Sequence, residues 1–434
     1  MMQNEKPNAM SDLKTWLCYL EQLHPTTIDM GLERVKIIAQ RLDILQPAPY
    51  VITVAGTNGK GTTCRTLEMI LLASKRKVGV YSSPHLLRFT ERVRINNQES
   101  TAQETVNAFL EIEKVRGDIS LTYFEYATLA ALYQFKKAKL DVVVLEVGLG
   151  GRLDATNIVD ADIAVITTID IDHVDYLGNT RESIGREKAG IFKSKSIAVV
   201  GEQNVPVTIP LVAESVNCPI YTVNSDWSYQ QINDNQWSFE SPLANYHHLP
   251  IANVPLANAA TAIAALSYSS LNITQDDIVK GLKQASLVGR FQTLQYSPLV
   301  IIDVAHNPHA ATYLIKQLAQ LKAKQSKTGK IRFVIGMLKD KDIKSTLSIL
   351  QGDVWYCATL YGERGCKAEV LKQYLLDKEE TTVLTFDHVA DAYQKAMQDA
   401  KDNDIIVVCG SFHTVAEVLE QYELSEINHD ERQK

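Results

Sequence analysis

The chain has 434 residues, of which 45% are hydrophobic and 22% are charged. These values are typical of a folded globular protein, and the length favours two or more domains. The formal net charge is −7, so the chain has no basic excess that would attract nucleic acid or an anionic membrane. The sequence shows no apolar signal core and no bilayer-spanning run, and its six scattered cysteines indicate reduced thiols in a cytoplasmic protein.

Strands alternate with helices over the first two-thirds of the chain, which predicts an α/β fold with a parallel sheet covered on both faces. The buried strands are predicted at residues 50–54, 78–81, 140–147, 163–168 and 197–200. Residues 121–137 are predicted to form a long helix. Alternating aromatic and polar residues at 219–249 predict antiparallel hairpins on the edge of this domain, and an alanine-rich helix is predicted at 253–269.

A second α/β block begins at Pro298. Its strands are predicted at residues 299–302, 331–335, 354–358, 382–385 and 405–408. The boundary is expected between Gly289 and Pro298, which gives domains at 1–290 and 291–434. The first is predicted to be a P-loop ATPase-like parallel-sheet domain with an edge antiparallel element, and the second a smaller Rossmann-like α/β domain.

A glycine-rich loop follows the first predicted strand and precedes a helix. Such a loop exposes backbone amides that bind phosphate oxygens at a helix N-terminus. Its candidate ATP-binding residues are Gly56, Thr57, Asn58, Gly59, Lys60, Gly61 and Thr62. The match to the usual phosphate-loop pattern is imperfect, because Gly61 follows Lys60 and delays the hydroxyl by one position. Whether Thr62 or Thr63 contacts magnesium stays open, and a tight turn with a solvated lysine is the alternative.

The loop and seven further segments resemble, in the same order along the chain, the folylpolyglutamate synthases. These amide-forming ligases are related to the enzymes that build peptidoglycan peptides. The matching segments are residues 54–63, 81–86, 122–125, 145–157, 172–173, 186–191, 303–308 and 410–413. The resemblance implies that ATP activates a carboxylate as an acyl phosphate, which the amine of L-glutamate then attacks. It implies dihydrofolate formation from 7,8-dihydropteroate and further glutamate addition to tetrahydrofolates.

Magnesium ligands are expected where the predicted strands end. Glu146 ends one such strand, and Mg²⁺ prefers oxygen ligands. The resemblance adds Ser83 and His173 as metal ligands, although a turn serine, a structural histidine and an ion-paired glutamate are the alternatives. It also implies that Lys188 is carbamylated and binds a second magnesium ion. The alternative for Lys188 is a solvated helix lysine ahead of Gly190.

The nucleotide is also expected to meet residues later in the chain. Asn258 resembles the family's nucleotide-side asparagine, with an N-cap of the alanine-rich helix as the alternative. Arg290 lies at the predicted hinge between the domains, and its planar guanidinium group is suited to binding the γ-phosphate with two hydrogen bonds. Asp303 ends a predicted strand and is expected to contact ATP, with His306 nearby. The predicted catalytic residues are Lys60, His173, Lys188, Arg290 and His306.

The pteroate pocket is expected around residues 122–125, where Phe124 offers an aromatic face. Ordinary core packing is the alternative for Phe124. The predicted substrate-binding residues are Ile28, Asp29, Thr122, Tyr123, Phe124, Glu125, Asp154, Ala155 and Ser411. Ser411 and His413 are expected to hold the incoming glutamate, with helix capping as the alternative for Ser411. The expected partners are small molecules alone, namely ATP, dihydropteroate, folates and L-glutamate, and the chain is expected to be a monomer.

Three other functions remain open at this point. A monofunctional folylpolyglutamate synthase is the nearest alternative. A peptidoglycan amino-acid ligase is disfavoured by the Lys60-Gly61-Thr62 spacing. A nucleotide-binding regulator without catalysis is disfavoured by the joint presence of Glu146, His173 and Lys188.

Overall fold

The computed structural model describes residues 6–325, 329–380 and 382–432, without the side chains of 324–325 and 425–432. Residue contacts divide the chain into two compact units, Met1–Ser286 (unit 1) and Leu287–Lys434 (unit 2). The sequence prediction set the boundary at residue 290, and its outer bounds, residues 1 and 434, lie outside the described residues. The assignment of one function to each domain stays a prediction.

Unit 1 carries a mixed α/β arrangement. Its strands are β1 (Tyr50–Ala55), β2 (Val78–Tyr81), β3 (Val93–Ile95), β4 (Gln98–Glu99), β5 (Val142–Glu146), β6 (Ile163–Ile166), β7 (Ile197–Val200), β8 (Ile220–Thr222), β9 (Ser228–Gln231), β10 (Gln236–Glu240) and β11 (Asn245–Pro250). Its helices are α1 (Leu13–Leu23), α2 (Glu33–Arg41), α3 (Lys60–Ala73), α4 (Ala102–Arg116), α5 (Tyr123–Ala138), α6 (Val174–Leu177), α7 (Arg181–Ala189), α8 (Thr208–Ser215), α9 (Leu256–Ser267) and α10 (Gln275–Gln284).

The main sheet of unit 1 has the strand order β4-β3-β2-β5-β1-β6-β7-β8 among the described residues. The six strands from β2 to β8 are parallel, whereas β3 and β4 add antiparallel pairs at one edge. Strand β5 reads Val-Val-Val-Leu-Glu and is buried throughout, as expected for a strand covered on both faces. Because parallel strands end at one edge of the sheet, the loops after β1, β2, β5 and β6 meet there.

The region predicted as hairpins at 219–249 differs from the prediction. Strand β8 is not part of a hairpin, because it pairs in parallel with β7 at the edge of the main sheet. Strands β9 to β11 form a separate three-stranded antiparallel sheet. Its aromatic residues Trp237 and Phe239 are buried in the same core as α3 and α9. Period-two alternation therefore identified β9 to β11 and their antiparallel pairing, but not the parallel pairing of β8.

The long helix predicted from residue 121 begins at Tyr123, because Thr122 caps it. The Thr122 hydroxyl accepts a hydrogen bond from the Glu125 amide (3.2 Å), and the Glu125 carboxylate accepts one from the Thr122 amide (2.8 Å). This reciprocal capping box satisfies two amides that the helical ladder leaves unpaired. Thr122 and Glu125, which are predicted to bind pteroate, therefore both stabilise the N-terminus of α5.

Unit 2 is a second α/β sheet. Its strands are β12 (Gln292–Tyr296), β13 (Leu299–Ile302), β14 (Ile331–Ile335), β15 (Val354–Ala358), β16 (Val383–Phe386) and β17 (Ile405–Cys409). Its helices are α11 (Pro308–Gln325), α12 (Ile343–Ile349), α13 (Ala368–Asp377), α14 (Val389–Asp399) and α15 (Phe412–Arg432). The order is β12-β13-β17-β14-β15-β16, and only the unpredicted β12 is antiparallel. Among the helices of the described residues, none combines the length and apolarity that a membrane crossing needs.

Candidate active site

The loop between β1 and α3 is held by the residues that follow β6. The amide of Thr57 donates to the Thr168 carbonyl (2.8 Å), and the amide of Asn58 donates to the Thr168 hydroxyl (3.0 Å). The Thr167 hydroxyl donates to the Asn58 carbonyl at 2.6 Å. The amides of Thr57 and Asn58 are therefore already hydrogen-bonded within the protein. These bonds fix the backbone conformation of the loop at the edge of the sheet.

The N-terminus of α3 packs against α9. The helical ladder of α3 begins with the bond from the Thr63 amide to the Gly59 carbonyl, so the amides between these residues precede the ladder. The side-chain amide of Asn258 donates to the Thr62 hydroxyl at 2.7 Å. A Cβ at Gly59 (φ +86°) would lie 2.6 Å from the Asn258 side-chain oxygen. The N-cap alternative for Asn258 is wrong, because Pro255 occupies the N-cap of α9 and Asn258 is buried within the helix.

Two lysines donate to one carbonyl at the start of this loop. The Nζ atoms of Lys60 and Lys188 each lie 3.0 Å from the Gly56 oxygen. The solvated-lysine alternative for Lys188 is wrong, because that side chain is buried near the end of α7. Burial, reinforced by the neighbouring Lys60 ammonium, lowers the pKa of Lys188 to about 7. The sheet edge therefore holds a cation at Lys60 and a readily deprotonated amine at Lys188.

Ser83 and Glu146 come together because β2 and β5 are adjacent parallel strands. The Ser83 amide donates to a carboxylate oxygen of Glu146 at 3.3 Å, and the Glu146 side chain is buried. The Cys64 thiol has its pKa raised by its own burial and by the nearby Glu146 carboxylate. Within the described ranges, no three His, Cys, Asp or Glu side chains converge as a metal site. A cation at Glu146 would therefore have at most one further ligand of these types from the described residues, and hydroxyl, phosphate or water oxygens would complete its coordination.

A cleft at this edge brings the two lysines and His173 together. Its walls include Gly56, Lys60, Gly148, Asp172, His173 and Lys188. His173 precedes α6 with a left-handed backbone (φ +53°), and its Nε2 atom lies 3.8 Å from the Asp172 carboxylate. The imidazole is partly exposed toward solvent, whereas Lys188 is buried.

The predicted pteroate residues form two groups, of which the first surrounds Gly148. A Cβ at Gly148 would lie 2.5 Å from the Phe124 ring, so the glycine lets the ring approach the loop after β5. Asp154 accepts the amides of Gly148 (3.0 Å) and Leu149 (2.9 Å) and the Thr156 hydroxyl (2.7 Å). Burial nevertheless raises the pKa of Asp154. Asp154 therefore shapes the loop on which Phe124 packs.

The second group is joined by Arg34, which the sequence analysis did not identify. One Arg34 nitrogen lies 2.6 Å from the Asp29 carboxylate, and another lies 3.1 Å from that of Glu125. Asp29 also lies 3.3 Å from Nε2 of His24. Arg34 thereby ties the segment before α2 to the capped end of α5. Nothing in the local sequence pattern marks it, since a charged residue in a short amphipathic helix is ordinarily solvated.

The remaining predicted pteroate residues have different surroundings. Ile28 is 40% exposed on the segment tied down by Asp29. Tyr123 begins α5, and its ring lies 5.5 Å from the guanidinium carbon of Arg92. Ala155 is buried at the start of a short 3₁₀ helix.

The candidate residues of unit 2 gather around Phe412. The guanidinium carbon of Arg290 lies 5.6 Å from the Phe412 ring centre, and the His306 ring centre lies 6.2 Å from it. Nδ1 of His306 lies 2.8 Å from the Val304 carbonyl oxygen. Asp303 follows β13, and its carboxylate accepts two backbone amides at 2.8 Å each. Burial raises the pKa of Asp303, and the Arg290 charge opposes that shift.

Ser411 is a helix-capping residue in the structure. Its hydroxyl accepts the Thr414 amide at 3.0 Å and lies 2.8 Å from the Thr414 hydroxyl. The capping alternative for Ser411 is therefore what the geometry shows, and its role toward glutamate stays a prediction. His413 lies in the first turn of α15.

Comparison with known proteins gives matches over nearly the whole chain. Residues 54–265 match the family described as Mur ligase middle domain, and residues 289–412 match Mur ligase, glutamate ligase domain. The dihydrofolate synthase/folylpolyglutamate synthase of Escherichia coli K12 is 55% identical over 97% of this chain and 98% of its own length.

Two similar solved structures agree with this relationship. Escherichia coli FolC in complex with DHPP and ADP has a TM-score of 0.93 at 55% identity, covering 97% of this chain and all (100%) of that one. The Yersinia pestis bifunctional folylpolyglutamate synthase/dihydrofolate synthase with AMPPNP and Mn ion has a TM-score of 0.91 at 55% identity, covering 96% and 100%. The chain therefore belongs to the dihydrofolate synthase/folylpolyglutamate synthase family, within the ATP-dependent Mur ligases.

Proposed function

We propose that this chain uses ATP to join L-glutamate to 7,8-dihydropteroate, and then to add further glutamates to tetrahydrofolates. The observation that carries the proposal lies at one edge of the sheet, where Glu146 pairs with Val54 just before the phosphate loop and Lys188 contacts the Gly56 carbonyl of that loop. One site serves both reactions, because each activates a carboxylate and delivers the same amine. The substrate carboxylate attacks the γ-phosphorus and releases ADP. The glutamate nitrogen then attacks the acyl phosphate, forming the amide and releasing phosphate and a proton.

The phosphate loop is proposed to hold the nucleotide by its first-turn amides. Residues 59–62 supply these amides, because those of Thr57 and Asn58 are engaged with Thr168. Lys60 supplies the cation for the γ-phosphate, as expected of a P-loop lysine. In unit 2, Arg290 and Asp303 are proposed to bind the nucleotide, which accords with a Rossmann-like sheet and its buried acidic strand end.

The proposed cation ligands are of donor types that suit a divalent cation. A buried carboxylate at Glu146, a hydroxyl at Ser83 and an imidazole at His173 are donors that Mg²⁺ or Mn²⁺ accepts. The Thr63 hydroxyl is buried without a partner among the described residues, whereas that of Thr62 already bonds Asn258. Thr63 is thus the hydroxyl of this helix turn that has bonding capacity left. The bound cation would neutralise charge on the phosphates.

The acceptor is proposed to lie between Phe124 and the segment that carries Ile28. Phe124 offers a ring face beside Gly148, and the capped end of α5 sets its position. Asp29, Thr122, Tyr123, Glu125, Asp154 and Ala155 are proposed to shape or line the same pocket. Ser411 and His413 are proposed to hold the incoming glutamate, and His306 is proposed to assist substrate or nucleotide binding. The six cysteines are all unpaired, which accords with the proposed cytoplasmic location. The chain is proposed to be a monomer.

Lys188 is proposed to be carbamylated in the active protein. Its lowered pKa makes a large share of the side chain a neutral amine at neutral pH, which is the form that attacks CO₂. The Nζ–C bond forms as one C–O π bond of CO₂ opens, one proton leaves to water, and the neutral amine becomes an anionic oxygen donor. This change replaces ammonium repulsion with attraction toward Lys60, and it supplies oxygens for a second divalent cation.

We expect ¹³C-bicarbonate to give a carbamate NMR signal in the native chain. The signal should rise as the pH passes upward through about 7, because deprotonation of Lys188 exposes the nucleophile. Lys188→Met should lack the signal, while a variant at exposed Lys14, Lys14→Met, should keep it. A native chain without this signal under ¹³CO₂ would refute the carbamate.

The two activities can be separated by one assay. We expect phosphate release, dependent on ATP and glutamate, with dihydropteroate and with tetrahydrofolate, and none with a nucleotide-linked muramyl precursor. Mass analysis should show one glutamate added to pteroate and several added to folate. Product from tetrahydrofolate alone would establish a monofunctional folylpolyglutamate synthase, and turnover of the muramyl compound would overturn the assignment.

A further inference from the structure

The loop that follows β2 is held at both ends by a short neighbouring segment. The metal loop, residues 82–88, contains Ser83, the candidate ligand that contacts Glu146. The neighbouring segment, residues 91–94, comprises the end of a 3₁₀ turn and the start of β3. Antiparallel pairing of β2 with β3 brings the segment alongside the loop.

Arg94 holds the first residue of the metal loop. Its Nη1 atom donates to the Ser82 hydroxyl at 3.0 Å, while its other nitrogens contact the buried Glu68 carboxylate at 3.0–3.2 Å. The Ser82 amide also donates to the Arg92 carbonyl at 2.9 Å. Glu68 is fully buried, and the Nη1 atom of Arg94 also donates to the Glu91 carbonyl at 3.4 Å. Arg94 therefore joins the buried carboxylate to Ser82, the residue before Ser83.

Arg92 holds the middle of the loop. Its Nε atom donates to Nδ1 of His85 at 2.9 Å, so this histidine nitrogen is the acceptor. The guanidinium carbon lies 5.5 Å from the ring centres of both Phe89 and Tyr123. Such cation–π contacts restrict the side chain to one arrangement. Because Tyr123 begins α5, Arg92 connects the metal loop with the helix of the predicted pteroate pocket.

Glu91 holds the far end of the loop. Its two carboxylate oxygens accept the amides of Leu86 (2.8 Å), Leu87 (2.9 Å) and Arg88 (2.6 Å). Three amides on one carboxylate are charge-assisted hydrogen bonds, which are stronger than neutral ones. The metal loop thus has contacts to residues 91–94 at its beginning, middle and end.

We propose that Glu91, Arg92 and Arg94 are positioning residues that hold Ser83 in place for divalent cation binding. This inference rests on the proposed metal site at Ser83 and Glu146. None of the three is proposed to touch the cation or a substrate. They act through Ser82, His85 and the loop amides, in the way that hydrogen-bonded partners of metal ligands orient those ligands.

The test measures Mn²⁺ binding with ADP present, from the loss of the free-ion EPR signal beyond that of a protein-free Mn²⁺–ADP blank. Arg92→Met keeps an apolar stem but removes the donor to His85, and Ser82→Ala removes only the hydroxyl that Arg94 holds. We expect each to raise the apparent Mn²⁺ Kd about tenfold, because loss of a ligand's hydrogen-bonded partner typically weakens a site to that degree.

Two controls distinguish the possible failures. Arg76→Met removes donors to Ser74 and Leu271 elsewhere in unit 1, and its Mn²⁺ Kd should match that of the parent. Glu146→Ala should abolish the binding, and if it does not, the metal site itself is wrong. If Glu146→Ala abolishes binding but Ser82→Ala and Arg92→Met stay within twofold of the parent, the positioning role is overturned. Should Arg92→Met not fold, Ser82→Ala decides alone.

Discussion

Lys60→Ala is expected to lower kcat/KM about a thousandfold for both dihydropteroate and tetrahydrofolate. Its Nζ atom lies 3.0 Å from the Gly56 carbonyl, beside the N-terminus of α3. The negatively charged γ-phosphate is proposed to bind there. Both reactions share the phosphoryl transfer, so both should fall by the same factor. Steady-state phosphate release with each substrate measures the effect.

Lys60→Arg is not expected to restore the rate. Lys188 donates to the same carbonyl, and the larger planar guanidinium would have to share that space. The matched control is Lys14→Ala on the exposed face of α1, which should leave both rates at the parent value. Retention of more than a tenth of the parent kcat/KM in Lys60→Ala would contradict the assigned role.

Glu146→Ala is expected to abolish Mn²⁺ binding and to lower kcat at least about a hundredfold. The carboxylate is buried beside the Ser83 amide and is the acidic member of the predicted ligand set. Because the Arg94 guanidinium interacts electrostatically with Glu146, thermal unfolding of the variant is measured alongside Mn²⁺ binding. Lost Mn²⁺ binding in a variant that still unfolds cooperatively is the diagnostic result.

Glu146→Gln should give an intermediate loss, because the amide oxygen can still accept from Ser83 but carries no charge. The control is Glu21→Ala at an exposed position of α1, which should change neither Mn²⁺ affinity nor rate. If Glu146→Ala kept the parent's Mn²⁺ affinity, the cation site would have to lie elsewhere.

The parts of the site that lie on one strand and its following turn were predictable from the sequence. Tyr50–Ala55 is a β-branched run ahead of a glycine turn, so the phosphate loop could be recognised from contiguous residues. Glu146 could be assigned to the ligand edge because parallel strands all end there. Most strands of both units were found for the same reason, since they are short apolar runs between polar turns, whereas β3, β4 and β12 were not.

Contacts between distant parts of the chain were not predictable in this way. Lys188 meets the Gly56 carbonyl across 132 positions, and Asn258 meets Thr62 across 196. A pattern of polar and apolar residues describes each helix separately. The pattern therefore could not exclude a solvated side chain for Lys188 or a helix N-cap for Asn258. Arg94 escaped notice for a related reason, because β3 has three residues and is too short to show alternation. Arg92 ends the preceding 3₁₀ helix, which has four residues and is equally short.

The contact between Gly148 and the Phe124 ring has a consequence for how relatives of this chain diverge. A methyl group at position 148 would overlap the ring, whose nearest atom would lie 2.5 Å away. A lineage that acquires alanine at 148 must therefore reduce or redirect the side chain at 124, and until it does so the loop after β5 is displaced. Substitutions at positions 124 and 148 are therefore expected to be coupled. A chimaera that takes the two residues from different parents would have a proposed acceptor pocket of altered width.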